Sequence, residues 1–152
     1  GWREAFRLAA RADAKAAADA IRKKVAEARK ARKKDRERAL LEMLMHIGAT
    51  DEDRYRLASL ALGESKLDTR KPARQSDPAL AMLAKLSRAG FDVVAALRKD
   101  RAANLEQLYY VGFHFVETDS GPGEDLLREV VKKAGRKKIG KAAKNKLALE
   151  GL

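Results

Sequence analysis

The chain has 152 residues, with 34 Lys and Arg against 22 Asp and Glu and a formal net charge of +12. It has no cysteine and only two histidines, His46 and His114. That excludes disulfides, Fe–S clusters and cysteine-bound zinc, and leaves little for a His-rich metal site or a Ser-His-Asp triad.

Ala and Leu dominate the apolar residues, whereas Val, Ile and Thr are scarce. The expected fold class is therefore all-α. From Trp2 to Ile47 there is neither Gly nor Pro. One unbroken helix over that stretch would be about 69 Å long at ~1.5 Å per residue. Its apolar stripe (Phe6, Ala10, Ala14, Ala17, Ile21, Val25, Ala28) is mostly alanine, which permits close approach of another helix but buries little area. Residues 1–35 read as an extended basic helical arm, a candidate for pairing with another helix in this chain or a partner. Residues 36–152 read as a packed helical domain that opens with Leu40, Leu41, Leu44, Met45 and Ile47.

Gly48 ends the first packed helix, and Thr50-Asp51-Glu52-Asp53 opens the next, which runs to about Glu64. Residues 66–77, with Pro72 inside, read as a loop. Asp77 caps a helix begun by Pro78 and stopped by Gly90. Phe91, Val94 and Leu97 mark a short helix. Asn104 caps another that carries Leu108, Tyr109, Gly112, Phe115 and Val116 on one face. Thr118-Asp119-Ser120-Gly121-Pro122-Gly123 reads as a turn. Leu126, Leu127, Val130 and Val131 then form a helix closed by Gly135, and Ile139, Ala142, Ala143 and Leu147 form the last. Six or seven short helices with tight connections are expected to pack as a stack of antiparallel hairpins.

The pair of helices at 108–131 resembles a tetratricopeptide repeat (TPR), whose first helix reads W-x2-L-G-x2-Y in idealised form. Leu108, Val111, Gly112 and Phe115 stand in those places, and Leu126 and Val130 supply the second helix. Residues 137–149, with Ala142 and Ala143, resemble the start of a third helix. Tyr55, Ala58, Leu62 and Gly63 are a weaker echo. The resemblance implies an α-solenoid, degenerate TPR or HEAT-like, used as a protein-interaction surface.

The excess charge is concentrated. Residues 22–38 carry ten basic and three acidic side chains; residues 132–146 carry eight basic and no acidic ones. The remaining 120 residues net −3, by subtracting +7 and +8 from +12. The first run offers Arg22, Lys23, Lys24, Arg29, Lys30, Arg32, Lys33 and Lys34 to a phosphate backbone or an acidic partner. Against that, Glu27, Asp35 and Glu37 stand at spacings that allow local pairing. Polybasic segments also suit peripheral attachment to anionic lipid, although residues 22–38 lack the wide apolar face of a membrane-surface helix. The second run offers Lys132, Lys133, Arg136, Lys137, Lys138, Lys141 and Lys144. There Arg136, Lys137 and Lys138 fall at a helix start, where positive charge is unfavourable unless an anion is bound. Tyr110, Phe113 and His114 lie off the main buried face, either lining a groove or packing on a neighbouring hairpin.

No apolar run approaches the ~20 residues that span a bilayer, and Arg3, Glu4 and Arg7 interrupt any signal-like start. The expectation is a soluble, cytoplasmic, non-enzymatic scaffold or adaptor without cofactor or metal. Its partner would be a protein with an acidic surface. The alternative is a nucleic-acid-binding module without sequence specificity.

Overall fold

The computed structural model describes residues 1–68 and 77–152 and is all-α over them, with no strand among the described residues. Most of the expected loop at 66–77, including Pro72, lies outside the described residues. Eight helices are described: α1 (Trp2–Lys30), α2 (Lys34–Ile47), α3 (Asp51–Glu64), α4 (Pro78–Arg88), α5 (Val93–Lys99), α6 (Leu105–Thr118), α7 (Ser120–Ala134) and α8 (Lys138–Leu149). The chain divides into two compact units, Gly1–Leu60 and Ala61–Leu152.

In the first unit the long rod is broken. α1 ends at Lys30, and the chain turns at residues 31–33 into α2, which packs back along α1. The turn closes with Lys33 N–H donating to Ala28 carbonyl (2.9 Å) and Arg32 N–H to Arg29 carbonyl (3.1 Å). That is a Schellman motif, and it requires a left-handed residue just past the helix. Arg32 takes that place at φ +58. At the other end of α2, Gly48 (φ +148) lies against Ala18. α2 therefore covers α1 from Ala28 back to Ala18, both of them buried, with Leu41 and Leu44 opposite. The alanine stripe thus finds its helix partner within this chain for half its length. Thr50 then caps α3: its hydroxyl accepts from Asp53 N–H (3.2 Å), and Thr50 N–H donates to the Asp53 carboxylate (2.9 Å).

In the second unit the local stops and starts match the sequence expectations. Asp77 accepts from Ala79 N–H at 2.9 Å, and Asn104 and Gln107 form a reciprocal capping box. α6 and α7 run antiparallel, and α8 returns parallel to α6. The close approach is made at Gly112, where a Cβ would stand 3.0 Å from Leu126 Cβ. The core here is Leu80, Leu83, Phe115, Leu126, Leu127 and Val130, all essentially inaccessible.

One expectation is corrected. The turn at 118–123 is a single residue, Asp119, which closes α6 and opens α7. Gly121, Pro122 and Gly123 belong to the first turn of α7. A helix leaves its first N–H groups without internal partners, so a proline costs little there. Gly123 is required because a Cβ would run into the Val116 backbone.

Among the described residues no helix is long and apolar enough to cross a membrane.

Candidate anion-binding surfaces

The first surface is the tip of the α1–α2 hairpin. Lys23, Lys24, Arg29, Lys30, Arg32, Lys33 and Lys34 are all exposed, and none has an ion-pair partner among the described residues. The local pairing that the sequence allowed is not formed. Glu27 and Asp35 pair with nothing among the described residues, and Glu37 turns inward to Arg56. Arg36, which sequence reasoning left out of the candidate set, is also exposed and unpaired. It stands between Asp35 and Glu37 in sequence, but adjacent residues on a helix do not face each other.

Arg22 is different. Its guanidinium donates to Gly48 carbonyl (2.5 Å) and to Asp53 (3.4 Å), and pairs with Asp19 (3.4 Å). It ties α1 to the α2–α3 corner and is not available to a partner in this state.

The backbone of the tip is unusual. Two other helices among those described end in the same motif, and both place glycine in the left-handed position. At Gly90 (φ +94), Phe91 N–H reaches Leu86 carbonyl at 3.0 Å. At Gly151 (φ +74), Leu152 N–H reaches Leu147 carbonyl at 2.9 Å. Arg32 is the only non-glycine residue at positive φ among the described residues. A Cβ in that conformation costs roughly 1–2 kcal/mol.

The second surface is the α7–α8 corner. Lys132, Arg136, Lys137, Lys138, Lys141 and Lys144 are exposed and unpaired among the described residues. Lys133 pairs with Glu129 at 3.3 Å. α8 opens at Lys138 with Lys137 in the capping place and no side chain closing its free N–H groups. Gly140 lets the corner close: a Cβ there would stand 2.7 Å from Gly135 carbonyl oxygen. Beside it is an open pocket of about 650 Å3, lined by Asn104, Leu105 and Glu106 at the start of α6 and by Lys137, Lys138 and Ile139. Two helix N-termini and two lysines thus border one space, with Glu106 the opposing charge.

Lys146 completes the basic run in sequence but not on the surface. It is 8% exposed. Its Nζ reaches Glu117 at 2.7 Å and Glu150 at 2.9 Å, and stands 4.0 Å over the Phe113 ring. Burial by itself would lower the ammonium's pKa, but the hydrogen bonds and charges of the two glutamates outweigh it and raise it.

Tyr110 and His114 are buried, and Phe113 is half-buried beneath Lys146. Tyr110 hydroxyl donates to Asp77 at 3.1 Å, which ties α6 to the start of α4. Burial lowers the His114 pKa, with Glu117 and Asp77 opposing. Tyr109 is raised by burial, against the nearby Lys146 charge. None of the three aromatic groups of the expected groove presents an open face, and only Phe113 retains partial access.

Comparison of the chain with protein-family models, with curated proteins and with solved structures finds no match.

Proposed function

We propose that this protein is a non-enzymatic binding module that holds a polyanion, the phosphate backbone of a nucleic acid. The observation that carries this reading is the hairpin tip. Eight exposed cations from the first basic run, Arg36 included, have no acidic partner among the described residues, and one of them, Arg32, holds a conformation that glycine would adopt at lower cost. Strain retained at a surface turn is a feature of binding sites. The unpaired cations and uncapped helix start at the α7–α8 corner support the same reading independently. The two basic runs carry no base-reading signature in sequence, so binding is expected to follow charge and to ignore sequence.

The test is a fluorescence-anisotropy titration against a random-sequence duplex and a single strand at rising salt. Affinity should fall steeply, with log K linear in log salt. Replacing Lys30, Lys33 and Lys34 by Gln should reduce that slope by about 2–3 if each contacts a phosphate. Absence of salt-sensitive binding at low ionic strength overturns the reading.

A second reading is supported by the α6–α7–α8 packing. The close approach at Gly112 suits a TPR-like hairpin stack, and such a stack would serve as an adaptor for an acidic protein segment. An acidic polypeptide that binds tightly while nucleic acid does not would favour it.

A further inference from the structure

α2 covers α1 only as far back as Ala18. The preceding stretch, residues 2–17, is exposed at every position. It amounts to about 24 Å of helix at ~1.5 Å per residue. This stretch has two opposed faces. At about 100° per residue, Trp2, Ala5, Phe6, Leu8, Ala9 and Ala12 share one arc. Trp2, Phe6 and Leu8 are 77%, 71% and 61% exposed. Arg3, Arg7, Arg11 and Lys15 recur every fourth residue and share the other arc. Arg7, Arg11 and Lys15 have no acidic partner among the described residues; Arg3 lies 5.6 Å over the Trp2 ring. Asp13 interrupts the apolar arc, so the dry face is the first three turns.

The apolar arc points away from the side that α2 occupies. The α2-facing stripe, Ala18, Ile21, Val25 and Ala28, lies about half a helical turn around from it. A flat surface could therefore meet Trp2, Phe6 and Leu8 without meeting α2.

We infer that residues 2–17 of α1 form an interfacial helix that docks on an anionic lipid surface, with Trp2, Phe6 and Leu8 entering the headgroup boundary and the Arg/Lys ladder held by acidic headgroups. The charge pattern selects this occupant. A single partner helix would satisfy one of the two faces, whereas a bilayer has an apolar interior and an anionic rim and satisfies both. A second copy of this chain meeting the apolar arc would likewise leave the cation ladder without counter-charge, since the stretch carries four cations against Glu4 and Asp13. Aromatic residues at the end of such a helix suit the interface. This surface shares no residue with the hairpin tip, and it stands independently of the nucleic-acid reading.

Trp2 is the only tryptophan, so its emission reports the event directly in the full chain. Vesicles with about 30% phosphatidylserine should shift the emission to the blue, and pure phosphatidylcholine vesicles should not. Phe6→Glu and Leu8→Glu together should weaken partitioning at least about tenfold, with helicity by circular dichroism unchanged because both positions are exposed. The Lys30→Gln, Lys33→Gln, Lys34→Gln variant, in which nucleic-acid binding is expected to weaken, should keep the blue shift. No shift with anionic vesicles overturns the inference. So does equal binding to both lipids, loss of the shift in the tip variant alone, or a concentration-dependent shift without lipid, which would mark self-association.

Discussion

Glu37 is 1% exposed, and its two carboxylate oxygens accept from Arg56 Nε and Nη2 at 2.7 and 2.8 Å. The pair joins α2 to α3 across 19 residues of chain. It also keeps one of the three acids of residues 22–38 from pairing with the cations around it. A contact that stabilises the first unit thereby leaves its basic surface open.

Removing one partner of this pair strands the other. Arg56→Ala should destabilise the first unit by about 3–5 kcal/mol, because a buried carboxylate loses both its charge partner and its hydrogen bonds. Replacing both residues by apolar ones of similar volume should cost much less. Urea denaturation of the two variants checks the order; equal losses would mean that the pair contributes only as packing.

Arg32 separates stability from binding. Arg32→Gly should raise the stability of the hairpin by about 1 kcal/mol, since the left-handed conformation suits glycine. The same change removes a tip cation and should weaken polyanion binding and lessen its salt dependence. Thermal denaturation and anisotropy on one sample test both halves. A stabilised variant with undiminished affinity would show that Arg32 is not a contact.

The two glycines between α6 and α7 should not be equivalent. At Gly112 a Cβ meets Leu126 and Leu127 side chains at 3.0–3.1 Å, which can shift in part. Gly112→Ala should cost about 1 kcal/mol net, after the alanine helix preference is counted. At Gly123 the obstacle is the Val116 backbone, which cannot. Gly123→Ala should cost about 3 kcal/mol or more and displace the start of α7. Denaturant midpoints rank them.

The second unit should weaken in acid. Burial lowers the His114 pKa in the fold, while Glu117 and Asp77 offset part of that. Below about pH 6.5 the unfolded chain then binds more protons than the folded one. Stability is complete above that value and declines as pH falls through it. His114→Gln should flatten this part of the stability profile. Lys146 acts at the other extreme. Its raised pKa gives stability that is present below about 10.5 and lost as pH rises beyond it. Lys146→Met should remove that alkaline dependence, with Tyr109, raised by burial, contributing what remains in the same direction.

The all-α class and most helix boundaries were legible in the residues alone. Gly48, Asp77 with Pro78, Asn104 and Gly135 act within a single turn, so a short window of sequence contains the whole cause. The distribution of net charge into two runs was legible too. What each cation does was decided only by tertiary structure. Arg22, Glu37 and Lys146 find partners 31, 19 and 29 residues away, and no local spacing announces that. The fold-back at Arg32 was equally hidden, because nothing in its residue type marks a left-handed turn; pairing α2 against α1 outweighs the backbone cost there. Gly121-Pro122-Gly123 reads as a turn locally but forms the first turn of α7, where Gly123 lies against the Val116 backbone of α6. The sequence by itself determined a helical chain with concentrated positive charge. The tertiary structure decided which of those charges are used up inside each unit and which face outward, because burial converts an acid or a base into a structural tie only where a distant partner meets it.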